Sequence, residues 1–291
     1  MGFFDFLFGS AESKSERAYA KALRAAEVER ARQEKRFREQ ARIEKVSITR
    51  DTSIEMCYVP PGQFKMGKWV GEWQHFVKQG VEGVNVELSA GFWLGRVPIT
   101  QAVWKAVTAQ SPSEFEGNPD LPVDTVSWDD CASFIGSLKK NVTLDGRKYR
   151  FDFPTEAQWE YACRAGTLGD YAVNEFWHKR DHPMPVGQLP GNALGLQDMH
   201  GNVFEWCLDF YQKELPGGVD PCVLPPPPST PPAIRPRDWT PPPPPIVERV
   251  VRGGSWNSAD FNCRSASRHG RDPTGGFIDL GFRLALVPSM E

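Results

Sequence analysis

The sequence predicts an α+β fold of short strands, two or three helices and much irregular structure, preceded by an N-terminal helical arm. Three observations carry this reading. Residues 11–45 are dominated by Ala, Glu, Lys, Arg and Gln, with no Gly or Pro, which is a strongly helical composition. From Val46 onward the chain turns to short apolar runs separated by Pro and Gly, the pattern of strands and turns. Three later stretches return to helical spacing behind a Ser or Thr that suits an N-cap. The expected organisation is an arm over residues 1–45 and one domain over 46–291, with a Pro-rich insert at 212–248.

The elements follow in order. MGFFDFLFG has no basic region before its apolar run, is too short to span a bilayer, and lacks the Ser or Thr of a myristoylation signal. The expectation is a cytoplasmic protein without a transmembrane span, with display on a cell or virion surface as the alternative. In the arm the apolar residues are sparse (Ala18, Leu23, Ala26, Val28, Phe37) and form no heptad seam, so it reads as separate from the core and suited to tethering a partner. IEMCYVPPGQFKMG reads as a hairpin over Pro-Pro-Gly, and VELSAGFWLGRVPIT as two further strands. TQAVWKAVTA predicts a helix capped by Thr100, with Val103, Trp104 and Val107 on one face. DDCASFIGSLKKN predicts a second helix, capped around Ser127 to Asp129. NVTLDGRKYRF predicts a hairpin on Asp-Gly. FPTEAQWEYACRAG predicts a third helix between the Thr155 N-cap and the Gly166 C-cap.

The Pro-rich insert favours polyproline II and excludes helix and sheet. It reads as a semi-rigid surface loop with Arg235, Arg237 and Trp239 against the domain, the alternative being a PxxP ligand for an SH3-type groove. Beyond it, residues 249–286 have strand-like ends, RVVRGGSW and GFRLAL. The middle follows neither a strand nor a helix period. An irregular segment clamped between two scaffold ends is a functional candidate.

Composition narrows the chemistry. A net charge of −3 gives no signature of nucleic-acid binding. Ten Trp point to a core of aromatic anchors. The six Cys are scattered without a CxxC, so zinc knuckles are not expected and the thiols read as free and buried in a reducing compartment. His178 and His182 flank Asp181, but the adjoining Pro183 and the lack of a third ligand favour a loop over a zinc site.

PVDTVSWDDCASF, FPTEAQWEYACRAG, GLQDMHGNVFEW and RVVRGGSW…GFRLAL, in this order, resemble the formylglycine-generating-enzyme (sulfatase-modifying-factor) family. Its domain is a variant of the C-type lectin fold, and the resemblance covers roughly Val46 to Val287. In the family's founding enzymes a cysteine pair in the final segment holds copper(I) and activates oxygen, as soft ligands suit that metal. Here the first of those positions corresponds to Ser258, and Cys263 is the segment's one thiol, read as structural. The resemblance therefore implies no cysteine oxidation, no copper and no enzyme. A second branch binds iron through three His of a helical bundle, whereas this arm contains no His. The family's calcium loop corresponds to His200–Trp206. Glu205 would supply a carboxylate to Ca2+, and Gly201 and Val203 carbonyl oxygens. Alternatively, Asn202 and Glu205 satisfy buried backbone groups.

From Asn257 to Asp279 the chain has no Lys, Glu, Gln, Met or Trp, whose codons all end in a purine. Every residue present is reachable from an Asn codon by changing its two adenines. This segment resembles the variable region of proteins diversified by diversity-generating retroelements, which share the fold and the frame RGGSWN…NCRSA.R…GFRLAL. The resemblance implies a scaffold of Gly253, Gly254, Ser255, Trp256, Cys263, Arg264, Ser265, Ala266, Arg268, Gly281, Phe282 and Arg283. It implies ligand contacts from Asn257, Ser258, Ala259, Asp260, Phe261, Asn262, Ser267, His269, Gly270, Arg271, Asp272, Thr274, Gly275, Phe277, Ile278 and Asp279. Phe261 and Phe277 are the expected anchors, and Arg271, His269 and Asp272 give polar specificity. The expected function is non-catalytic binding of a protein or other macromolecule. The alternatives are a metal-dependent oxidase and an adaptor acting through the arm and Pro-rich loop.

Overall fold

A computed structural model describes residues 24, 28, 31–68, 82–173, 175–176, 178–225 and 247–289. The N-terminal tip and the positions of Arg235, Arg237 and Trp239 lie outside the described residues. A six-stranded sheet runs in the order β1-β2-β5-β13-β7-β6, from strands β1 (Ile43–Ser47), β2 (Ser53–Val59), β5 (Phe92–Gly95), β13 (Ala285–Pro288), β7 (Arg147–Asp152) and β6 (Val142–Leu144). A three-stranded sheet joins β3 (Gly62–Lys68), β4 (Glu82–Leu88) and β9 (Gly218–Val219). The third sheet has the order β11-β10-β8-β12, from β8 (Phe204–Phe210), β10 (Arg249–Arg252), β11 (Arg268–Arg271) and β12 (Leu280–Gly281).

The helices sit where Ser and Thr caps place them. Thr100 accepts from the Val103 amide at the start of α1 (Gln101–Thr108). Full capping boxes, Ser127 with Asp130 and Thr155 with Gln158, start α2 (Trp128–Ser137) and α3 (Glu156–Arg164). Trp104 of α1 stacks on Phe134 of α2 at 5.0 Å, and Phe282 meets Phe134 edge-on at 5.5 Å. Trp93, Trp159 and Trp206 are fully buried, so the expected aromatic core is present. The β6–β7 hairpin turns on Asp145 (φ 50°) and Gly146 (φ 73°), as the Asp-Gly pair implies.

Four expectations change. The Pro-rich insert does contribute to a sheet: its Gly218–Val219, ahead of the Pro runs, pairs with β4 as β9. The Pro-Pro-Gly stretch does not close a hairpin: β2 pairs with β1 and β5, while β3 pairs with β4 in another sheet. Pro60 and Pro61 have no N–H to offer a ladder there, and the chain crosses between sheets. The arm is not separate from the core. In its helix over residues 31–40, Phe37 is buried against Tyr161 at 5.4 Å, and Arg36 donates to the Pro61 carbonyl. One apolar side chain was enough to dock that turn, which a search for a heptad seam overlooks. The C-cap of α3 is Ala165 (φ 44°), and Gly166 (φ 88°) extends the left-handed turn. A side chain at Gly166 would strike the arm backbone, its Cβ lying 2.9 Å from the Glu34 nitrogen.

Candidate functional site

The 257–279 segment leaves the third sheet after β10, supplies edge strand β11, and re-enters at β12 on the opposite edge. It is less irregular than its sequence suggests, holding a 3-10 turn at Asp260–Cys263 and the β11 strand. Strand β11 escapes a periodicity search because its residues, Arg268 to Arg271, carry no apolar alternation and its order comes from backbone pairing with β10.

Main-chain atoms hold most of it. The Arg180 amide donates to Trp256 O (2.6 Å), Ser265 N–H to Asp170 O (2.8 Å), and the Tyr171 hydroxyl to Asp260 O (2.8 Å). On the far side Thr125 N–H donates to Phe277 O (3.0 Å), Trp128 N–H to Pro273 O (2.9 Å) and Phe204 N–H to Asp279 O (2.9 Å). The two feet are joined directly: the Trp256 indole reaches Ile278 O at 3.4 Å, and Ser255 Oγ donates to Asp279 Oδ2.

Scaffold and candidate contact residues separate only in part by burial, since Arg264, Ala266 and Arg268 of the scaffold are half-buried like much of the face. Asn257, Ala259, Asp260, Phe261, Thr274 and Ile278 are exposed, with Phe261 at 48% and Ile278 at 45%. Asn262, Ser267, His269, Gly270, Arg271, Asp272, Gly275 and Phe277 are half-buried. Ser258 departs from its expected role: it is buried, and its hydroxyl accepts from the Ser255 amide and shares a hydrogen with Ser255 Oγ, both at 3.0 Å. Asp279 likewise directs its carboxylate into this clamp. Ser267 turns its hydroxyl back to Phe261 O, and Asp272 accepts from the Thr274 amide and hydroxyl.

Beneath the segment lies a buried ionic framework. Arg268 grips Glu156 with two hydrogen bonds of 2.7 and 2.6 Å, and Arg252 pairs with Glu160, which also holds Arg164 at 2.8 Å. Gly254 (φ 75°) lets the Cys263 thiol pack where a Cβ would lie 2.5 Å from it. Burial pushes that thiol up to about 12, so it is a neutral packing group. All six Cys are free, and all but Cys222 are buried. His200 ties the layers together. Its Nε2 accepts from the Ala172 amide at 3.0 Å, so its Nδ1 carries the hydrogen donated to Cys263 O at 2.7 Å. Burial lowers its pKa to about 4.

The calcium turn is built differently from the expectation. Both Glu205 oxygens are occupied: Oε2 accepts from Arg283 Nε and the Trp159 indole, each at 2.6 Å, and Oε1 accepts from Arg283 Nη2 at 2.5 Å. A cation bound to this carboxylate would face a fully buried guanidinium, so Gly201, Val203 and Glu205 do not fit a calcium ion. Asn202 instead brackets Met184 through its amide N–H and carbonyl, the backbone-satisfying alternative. Among the described residues no cluster of three His, Cys, Asp or Glu suits a metal. His178 contacts Asp260 and His182 contacts Asp181.

Two neighbours of the segment went unnoticed in the sequence. Tyr171 stacks on Phe176 at 4.2 Å, and Phe176 contacts His178 at 4.6 Å, placing these rings beside Asp260. Arg249 lies over Trp128 and Phe210 at 3.8 and 3.5 Å. Aromatic density in the loop was visible, but its adjacency to Asp260 depends on contacts 89 residues apart.

The model of a Sulfatase-modifying factor enzyme 1-like domain matches residues 40–287. Chaperone protein LppX of Paenibacillus barcinonensis is 26% identical over 289 residues, covering 80% of this chain and 89% of its own length. The formylglycine-generating enzyme of Streptomyces coelicolor is 30% identical over 199 residues, covering 60% of this chain and 55% of its own length. The matched stretch thus spans about half of that enzyme. Among solved structures, Treponema denticola variable protein 1 superposes with a TM-score of 0.65 at 23% identity, covering 84% of this chain and 99% of that one. The likeness is one of fold, the expected α+β, C-type-lectin-like architecture. No helix among the described residues is long and apolar enough to cross a membrane.

Proposed function

This chain belongs to the sulfatase-modifying factor enzyme 1-like family, and within it we propose a non-catalytic ligand-binding protein whose exchangeable face is the 257–279 segment. The observation that carries the reading is how the segment is held. Its attachments to the loops around Asp170, Thr125 and Phe204 run largely through main-chain oxygens and amides, with Tyr171, His178 and Ser265 side chains adding bonds on the Asp170 side. The main-chain bonds persist whatever side chain stands at the position. The restricted residue alphabet between Asn257 and Asp279 fits the same idea, a surface rewritten at Asn codons while its backbone stays fixed. Ile278 and Phe261 supply exposed apolar area among small polar groups, a mixture suited to a macromolecular ligand. Against oxidase chemistry stands the buried Ser258 hydroxyl at the family's first cysteine position, which leaves Cys263 as the segment's one thiol where copper(I) takes a pair.

The genomic locus tests this. A reverse-transcriptase gene should lie nearby, together with a near-copy of the coding stretch for 257–279 that carries adenines where the two copies differ. A locus with neither removes the diversification claim. Copper-dependent oxygen uptake with a cysteine-containing peptide would overturn the non-catalytic reading.

A further inference from the structure

The far half of the face brings two unpartnered side-chain nitrogens, Arg271 Nε and His269 Nε2, onto one strand. Arg249 and Arg271 are direct cross-strand partners in the β10–β11 ladder. Like charges so placed repel unless something neutralises them. His269, two residues along, shares the Arg271 side of the strand. Arg271 Nε and His269 Nε2 are both buried without a hydrogen-bond partner. Buried N–H groups of this kind are costly, and Arg271 Nε–H beside His269 Nε2, in the tautomer that carries its hydrogen there, calls for an acceptor. The surrounding walls are aromatic: Arg271 lies 5.8 Å from the Phe204 ring and 5.4 Å from Phe277, and His269 meets Phe204 edge-on at 5.4 Å.

The nearby carboxylates do not answer them. Asp272 is turned to Thr274, and Asp129 and Asp209 act on Arg249. Glu248 lies over Gly270, on the opposite pleat.

We propose that Arg271 and His269 form an anion-accepting notch, and that the ligand of the face places there a carboxylate from an acidic protein segment. The proposal rests on the ligand-binding reading of 257–279. A carboxylate is favoured over a phosphate by the donor count. One open guanidinium fork and one imidazole match a planar monoanion, whereas a phosphate dianion draws on several cationic forks.

The test is NMR on the 15N-labelled full chain, following the Arg271 Nε–H and His269 ring signals during titration with an oligoglutamate peptide, an oligolysine peptide and inorganic phosphate. The expected result is a saturable shift of both signals with oligoglutamate, weaker with phosphate and absent with oligolysine. R271Q should weaken that binding about tenfold, the size of a lost hydrogen bond to a charged group. R271K should weaken it too, because a point charge lacks the fork; full affinity in R271K would reduce the site to general charge attraction. Tighter binding of phosphate would overturn the acidic-segment assignment. No saturable shift at Arg271 in the unaltered chain would overturn the notch itself, even if R271Q fails to fold. That failure would leave the diversified-surface reading standing on the genomic locus alone.

Discussion

Ser255 Oγ and Asp279 Oδ2 meet at 3.0 Å although 24 residues separate them in the chain. The bond closes the segment at its feet, and Ser258 extends it through the shared hydroxyl hydrogen. Asp279→Ala leaves the Ser255 hydroxyl without its acceptor and should cost about 1–3 kcal/mol in a urea titration. Amide exchange should accelerate through 257–279 while α3 stays protected. Unchanged exchange would mean that the main-chain bonds alone fix the segment.

Side chains on the face should be replaceable where those of the framework are not. Single Ala substitutions at Asn257, Asp260, Phe261, Thr274 and Ile278, all exposed, should each change stability by no more than about 0.5 kcal/mol. Arg268→Ala removes both hydrogen bonds to the fully buried Glu156 carboxylate, leaving it only the Arg252 ion pair at 3.6 Å, and should cost about 1–3 kcal/mol. Chemical denaturation of the set compares the two groups. Large losses across the exposed set would contradict a face held by its backbone.

The parts of the fold written in local chemistry were legible. Thr100, Ser127 and Thr155 announce helices because a cap acts within three residues, and Asp145-Gly146 announces its hairpin for the same reason. What escaped depends on partners distant in sequence. Phe37 docks the arm through Tyr161, and Ser258 became clamp rather than face because Ser255 and Asp279 converge on it. The charged residues in the motifs were visible, but the pairing of Glu205 with Arg283 is a fact of three dimensions.

That pairing yields a metal prediction. With both Glu205 oxygens taken by Arg283 and Trp159, the melting temperature should be the same in calcium and in chelator. Glu205→Gln should cost about 3–5 kcal/mol in either buffer, because it leaves the buried Arg283 without its counter-charge. Stabilisation by calcium, lost in Glu205→Gln, would place an ion on the Gly201–Glu205 turn after all.

Acid should act on the segment through His200. Its pKa falls from 6.5 to about 4 on folding, chiefly by burial, so between those values the unfolded chain holds the extra proton. The stability this group contributes is therefore complete above 6.5 and lost as pH drops towards 4, by about 3 kcal/mol in all. Asp209 works in the opposite sense. Burial raises its carboxyl from 3.8 to about 6, so there the folded chain holds the extra proton and gains as pH falls through 6. The two contributions nearly offset one another in the parent protein. His200→Gln removes only the first. The stability gap between parent and variant should therefore shrink by about 3 kcal/mol from near neutral pH to about pH 4, measured by urea titration at each. The protection factor of the Ala172 amide, which donates to His200 Nε2, should fall over the same range in the parent once the intrinsic pH dependence of exchange is divided out. A gap that stays constant with pH would mean that His200 titrates as an ordinary imidazole and does not hold the 170–172 loop to Cys263.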